Sequence, residues 1–434
     1  MRTDIVHIGA GELTYEIRNI VNVGNKIESF GNRVYWENIG DPVAKGEKIP
    51  EWMRQIVADL AMDSSSYAYC PTKGDPATRE YIAQTTNARG HARINTEDII
   101  FFNGLGDAIN KVFGFLKRTA RVLVPTPSYT THSSAEAAHA GDKPLTYLLD
   151  PNNNWYPDLD DLKKKIHYNP AVAGILIINP DNPTGAVYPA EYLRAMVDLA
   201  RRYDLFIIAD EVYHNIVYNG TSTPPLSNII DEIPGIAMRG VSKEMPWPGS
   251  RCGWIEVYNG HKDPMFEKYI TSILNAKMLE VCSTTLPQKA FPLIAEHPCY
   301  QEYLAERVKR YEKYSNIAYD ILKTVDGLVV NRTNGAFYMS VAFEEGLLNH
   351  MQSLPIAGKE VREFVVSLAN QPGVEPDKRF VYYLLGATGV CVVPLSSFAT
   401  TWQGFRVTLL ERNEDSFRKI FHIIADSIRQ YLAS

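Results

Sequence analysis

Lys243 lies in the turn GVSKEMPWPGSRCGW, which spans Gly240 to Trp254, and Arg251 follows it by eight residues. An amine beside a strong anion site is what Schiff-base chemistry requires. To attack an aldehyde the amine must shed its proton. Its pKa must therefore fall well below the ordinary value of about 10.4, through burial or a neighbouring cation. Arg251 offers both that cation and a two-pronged grip on a phosphate. An isolated Ser-Lys pair is more often a plain surface loop, so the reading depends on the residues around it.

Two further charges are hard to explain as structural filler. Asp210 and Glu211 follow the apolar run FIIA directly, a costly place for idle carboxylates, although Asp210 could also cap a following helix. Arg406 lies inside the apolar segment GFRVTLL, where an arginine calls for an anion partner.

The elements that must position these residues show in the apolar pattern. Ile99–Phe102, Val122–Val124, Ile175–Ile178, Phe206–Ile208 and Ile255–Val257 are short apolar runs bounded by Gly, Pro, Asn or Asp and separated by helical patterns. Such runs predict strands of a mostly parallel sheet covered on both faces. Ligands of open α/β sheets sit beyond the carboxyl ends of the strands. Gly104, Tyr129, Asn182, Asp210, Tyr213 and Lys243 all fall at such ends.

After about residue 320 the pattern changes. A long helical run leads to LVVN, FYMSVAF, VCVVP and FRVTLL, and a final helix covers DSFRKIFHIIADSIRQYL. This predicts a smaller α+β domain. The segment before about Lys45 is too short to bury a core of its own, so it is expected to pack on that domain.

The bulk properties exclude several classes. A net charge of −6 with scattered basic residues argues against nucleic acid as a partner. The five cysteines, Cys70, Cys252, Cys282, Cys299 and Cys391, form neither a metal knuckle nor a disulfide framework, and no metal site is expected. The absence of a signal-type apolar core and of any run of about 18 apolar residues leads to the expectation of a cytoplasmic protein without a membrane anchor.

NPDNPTG (179–185), ADEVY (209–213) and the Lys243 turn follow one another at intervals of about 30 residues. Together they resemble the class I/II aminotransferases, fold-type I of the pyridoxal-phosphate enzymes, over nearly the whole chain. The resemblance implies a three-layer α/β large domain (46–320) that binds pyridoxal 5'-phosphate. A small α+β domain would be built from residues 1–45 and 321–434. It further implies that Lys243 carries the cofactor and works as acid and base. Asp210 would pair with the pyridine nitrogen, and Asn182 and Tyr213 with the ring's phenolic oxygen. Leu105, Gly106, Ser242 and Arg251 would form the phosphate cup, and Tyr129 would stack on the ring. Arg406 would clamp the substrate α-carboxylate, aided by Asn182 and Gly40. Tyr69 would reach the phosphate of a neighbouring subunit, which implies a homodimer with shared active sites. Gly240 stands where relatives usually carry a hydroxyl, so one phosphate contact is missing or replaced.

The implied reaction is ping-pong transfer of an amino group from an L-amino acid to a 2-oxo acid. Gly106 stands near where some aspartate-preferring members place a lysine, and PLSSF (394–398) replaces the usual PGS-type turn. Both points lean slightly toward an alanine/2-oxoglutarate enzyme. A carbon–sulfur β-lyase of the same fold is the alternative. A nicotinamide-dependent oxidoreductase, hinted at by Gly9-Ala-Gly11, is weaker because Thr14 stands at the third glycine position and no βαβ unit follows. A binding protein that lost catalysis is disfavoured by the joint presence of Lys243, Asp210 and Arg406.

Overall fold

In the computed structural model, which describes residues 5–13 and 16–434, fourteen strands fall into three sheets. In chain order they are β1 (Tyr35–Trp36), β2 (Ile99–Phe102), β3 (Arg121–Thr126), β4 (Thr146–Asp150), β5 (Tyr156–Pro157), β6 (Val172–Ile178) and β7 (Phe206–Asp210). There follow β8 (Gly235–Gly240), β9 (Gly253–Tyr258), β10 (Leu328–Val330), β11 (Tyr338–Phe343), β12 (Val390–Cys391), β13 (Val393–Pro394) and β14 (Gly404–Thr408).

The large sheet has the order β2-β9-β8-β7-β6-β3-β4-β5. Pairing is parallel from β8 through β7, β6 and β3 to β4, and antiparallel at β9 and β5. Its strands are unbroken apolar runs because both faces are covered. Ile99 and Phe101 enter one core cluster, while Ile100 and Phe102 enter the other. Ile175 and Ile177 part from Leu176 and Ile178 in the same way. The mixed α/β class with a mostly parallel central sheet is as the sequence led us to expect.

The smaller sheet is antiparallel, in the order β10-β11-β14-β13. VCVVP, expected as one strand, is divided. Val390–Cys391 pairs in parallel with Tyr35–Trp36, and Val393–Pro394 joins β14. The first of these pairings ties the N-terminal segment to the C-terminal part of the chain. Gly9 packs against Ala138 beside a 3-10 turn at Ala10–Glu12, and no strand precedes it among the described residues. Thr14 lies outside the described residues. Among these residues, no helix is long and apolar enough to cross a membrane.

Candidate active site

The carboxyl ends of β2, β3, β6, β7 and β8 share one edge of the large sheet. Asp210 is the last residue of β7, Tyr213 follows three residues on, and Asn182 lies in the turn after β6. Lys243 stands three residues beyond β8. The antiparallel β9 begins at this edge, so Arg251, just before it, returns to the same place. Gly240 pairs with Gly253, and Gly253 with Phe102, which aligns the Lys243 turn, Arg251 and the start of the helix Leu105–Gly114.

That helix start has the form of an anion cradle. Gly104 adopts φ +81°, a backbone conformation that favours glycine, and Arg251 Nη2 lies 2.5 Å from where its Cβ would be. Arg251 Nη2 donates to the Asn103 carbonyl at 3.4 Å. The amides of Asp107 and Ala108 reach back to the Gly104 carbonyl, leaving those of Leu105 and Gly106 at the helix mouth. A Cβ on Gly106 would meet nothing within 4 Å, so the space beside that residue is open. Gly240, by contrast, has the Cys252 carbonyl 3.1 Å and Leu105 Cγ 3.7 Å from where a Cβ would be. Ser242 is half-buried in the turn beside Lys243.

Asp210 is 4% exposed, and each of its carboxylate oxygens has one partner. One carboxylate oxygen accepts from the Val212 amide at 3.1 Å, and the other lies 2.9 Å from His132 Nε2. His132 has no exposed surface, and Tyr129 meets its ring edge-on at 6.1 Å. Two bonds leave a carboxylate with lone pairs to spare.

The Tyr213 hydroxyl donates to that of Tyr338 at 3.2 Å, and burial pushes the Tyr213 phenol well above its ordinary pKa, so it stays a proton donor. The Lys243 Nζ atom donates to the Gly40 carbonyl at 2.8 Å, with the Tyr213 and Phe337 rings 5.9 and 5.6 Å away. A Cβ on Gly40 would strike the Tyr338 hydroxyl at 2.0 Å.

Arg406 enters from β14, where it pairs in register with Ser340 and Val393, and is 3% exposed. It donates to Asn182 Oδ1 at 3.2 Å and to the Asn38 carbonyl at 2.8 Å, while the Tyr338 ring lies 4.5 Å from its guanidinium carbon. With Oδ1 so engaged, the Nδ2 group of Asn182 is the donor that remains.

The chain thus gathers Gly40, Leu105, Gly106, Tyr129, Asn182, Asp210, Tyr213, Ser242, Lys243, Arg251 and Arg406 around one edge. Tyr69 stands outside this group. It is 82% exposed, on a segment held through Thr285 Oγ1, which donates to the neighbouring Ala68 carbonyl. His132, Tyr338 and Asn38 were not singled out in the sequence. His132 lies in the third position after Tyr129, in the first turn of the helix Thr130–Ala140, a signal too slight to use alone.

An α/β enzyme with a buried-edge lysine, a carboxylate and two arginines is the class that fold and edge define. The family model for class I and II aminotransferases matches residues 38–419. An uncharacterized aminotransferase of Methanocaldococcus jannaschii is 58% identical over 432 residues, covering 100% of each chain. The glutamate-pyruvate aminotransferase of Escherichia coli is 32% identical over 329 residues, 75% of this chain and 79% of its own. Among solved structures, the alanine aminotransferase of Pyrococcus furiosus superposes with a TM-score of 0.82 at 26% identity, covering 98% of each chain. The chain belongs to the class I and II aminotransferase family, whose members are pyridoxal-phosphate-dependent transaminases.

Proposed function

We propose that the protein moves the amino group of an L-amino acid to a 2-oxo acid, with an alanine/2-oxoglutarate pairing favoured over aspartate. The observation that carries this is the convergence of Lys243, Asp210 and Arg406 on one sheet edge. Pyridoxal phosphate, when bound, supplies an aldehyde for amine exchange and an electron sink for the substrate Cα. The residues present fit it. Asp210 keeps lone pairs for a ring N–H, and the helix mouth beside Arg251 suits a phosphate.

The remaining work falls to side chains. Arg251, Ser242 and the Leu105 and Gly106 amides would hold the phosphate, and Tyr129 would cover the ring. Asp210, oriented by His132, would pair with the ring nitrogen and hold a proton there. The Nδ2 group of Asn182 would donate to the phenolic oxygen, and so would Tyr213 by turning its single hydroxyl proton from Tyr338. Arg406 grips the substrate carboxylate from its seat on Asn38 and Asn182, with Gly40 alongside. Lys243 would be the base that takes the proton from the substrate Cα and the acid that returns it on the far side of the imine nitrogen, two bonds away.

The names of the Escherichia coli and Pyrococcus furiosus relatives support the alanine pairing, as does Gly106 where a distal-carboxylate lysine would stand. Exposed Tyr67, Tyr69, Met62 and Leu279 support a homodimer in which Tyr69 meets the partner's cofactor. The five free cysteines agree with a cytoplasmic setting. We set the domain limits at 1–45 with 321–434, and 46–320.

The test is the absorption spectrum of the purified protein during addition of single amino acids. A visible band that alanine and glutamate convert, with amino transfer to 2-oxoglutarate and pyruvate, supports the proposal. A colourless protein that cannot be loaded with the cofactor overturns it. Faster release of pyruvate from cysteine than transfer from alanine would make it a β-lyase.

A further inference from the structure

Arg307, on the helix Tyr300–Leu322, is 2% exposed and touches none of the residues assigned to cofactor or substrate by side chain. Its guanidinium is nonetheless aimed at the catalytic turn. Nη2 donates to the main-chain carbonyl of Lys243 at 3.1 Å, and Nη1 donates to that of Glu244 at 2.6 Å. Nε pairs with the buried carboxylate of Glu47.

Glu47 gathers more than one cation. Arg310 lies 2.8 Å away, Arg412 3.9 Å away, and the Tyr303 and Tyr311 hydroxyls donate to it at 3.3 and 3.5 Å. The same carboxylate closes a short, internally bonded stretch of chain. The amides of Lys45, Gly46 and Glu47 bond to the carbonyls of Asp41, Val43 and Pro42. Just before that stretch stand the Gly40 carbonyl, which receives the Lys243 amine, and the Asn38 carbonyl, which receives Arg406.

Lys243 is therefore held at both ends by one segment. Its amine rests on Gly40, and its carbonyl is tied through Arg307 to Glu47. We propose that Arg307 and Glu47 are positioning residues, and that this buried pair sets the reach of the Lys243 amine and the seat of Arg406 together. A pair with only a structural task would not need two guanidinium nitrogens on the carbonyls of the lysine turn. The inference rests on Lys243 being the working amine.

Two variants of the full-length, cofactor-loaded enzyme separate the two effects. R307K keeps a cation for Glu47, but one ammonium cannot span the carboxylate and both carbonyls. Its kcat should fall by about 10- to 100-fold with KM nearly unchanged. The pH midpoint of its visible band should move by about one unit, because Lys243 sits differently. E47Q should release residues 38–47, seen as hydrogen exchange about 10-fold faster there, and should raise KM for the amino donor.

Wild-type kcat and pH midpoint in R307K, or wild-type exchange and KM in E47Q, overturn the proposal. If E47Q fails to fold, the apolar pair E47L/R307M restores folding while leaving both carbonyls unbound. It must then show both defects, and wild-type behaviour overturns the proposal equally. If the wild-type protein has no visible band, the transaminase reading fails. The exchange measurement still decides whether the ion pair holds residues 38–47.

Discussion

His132 Nε2 and Asp210 Oδ2 lie 2.9 Å apart, in a setting where neither residue has appreciable access to water. A buried carboxylate costs free energy unless it is bonded on every side. Here the Val212 amide and His132 provide two bonds, and the proposed ring nitrogen provides a third. Asp210→Asn should lose the charge that keeps the ring protonated, lowering kcat by about 10²- to 10⁴-fold. His132→Asn keeps a donor of different reach and should lower kcat by about 10-fold. Steady-state kinetics of the two variants check the order, and equal losses would contradict it.

Lys243→Ala removes the amine that Gly40 and the Tyr213 and Phe337 rings surround. Transfer should be abolished. Methylamine added to the variant should restore part of it by supplying a free base in the vacated space. Full turnover without added amine would exclude Lys243 from the chemistry.

Arg406→Lys keeps the charge and loses the fork. The guanidinium bridges Asn182 and Asn38, and an ammonium cannot hold both and grip a carboxylate. KM for the amino donor should rise by about 10- to 100-fold, because a two-pronged grip is reduced to a single one. A dicarboxylate inhibitor should weaken in parallel, read by titration of the visible band.

Much of this arrangement is legible in the sequence, for a physical reason. Strands buried on both faces must be apolar throughout, so Ile99–Phe102 and Ile175–Ile178 stand out from their surroundings. Gly235–Gly240 does not stand out, because it carries Arg239, which is paired with Glu211 and Glu256. Thr146–Asp150 is hidden because Leu148 faces outward. Lys243, Asp210 and Asn182 lie in short local patterns. His132, Tyr338 and Arg307 take their meaning from partners far along the chain, 78 residues away for His132 and Asp210. No local pattern records such a partner.

Asp181, next to Asn182, gives a pH signature that concerns folding and not catalysis. It is wholly buried, one of its oxygens lacks a partner among the described residues, and burial pushes its pKa up to about 7. Between the ordinary 3.8 and about 7 the folded chain keeps a proton that the unfolded chain has lost. Its stabilising contribution is therefore full below the ordinary value and is lost as pH rises toward 7. Asp181→Asn abolishes this dependence while keeping an acceptor for Thr184. The melting temperature of the variant relative to wild type should climb between pH 5 and pH 7.5, by the equivalent of about 2–3 kcal/mol. A constant difference across that range would show that Asp181 does not titrate there.

The reversed strand β9 makes residues 241–252 a single hairpin connection between two paired strands. The amine and the phosphate cation are thus mounted on the same bracket, and the length of that loop acts as a ruler between them. Lengthening it by one residue would put the two ends out of gauge with each other while leaving the sheet intact. The connection between β7 and β8 joins no two parts of the site in this way; it is fastened instead to the C-terminal part of the chain, where Asn219 bonds Glu312, Thr333 and Asn316.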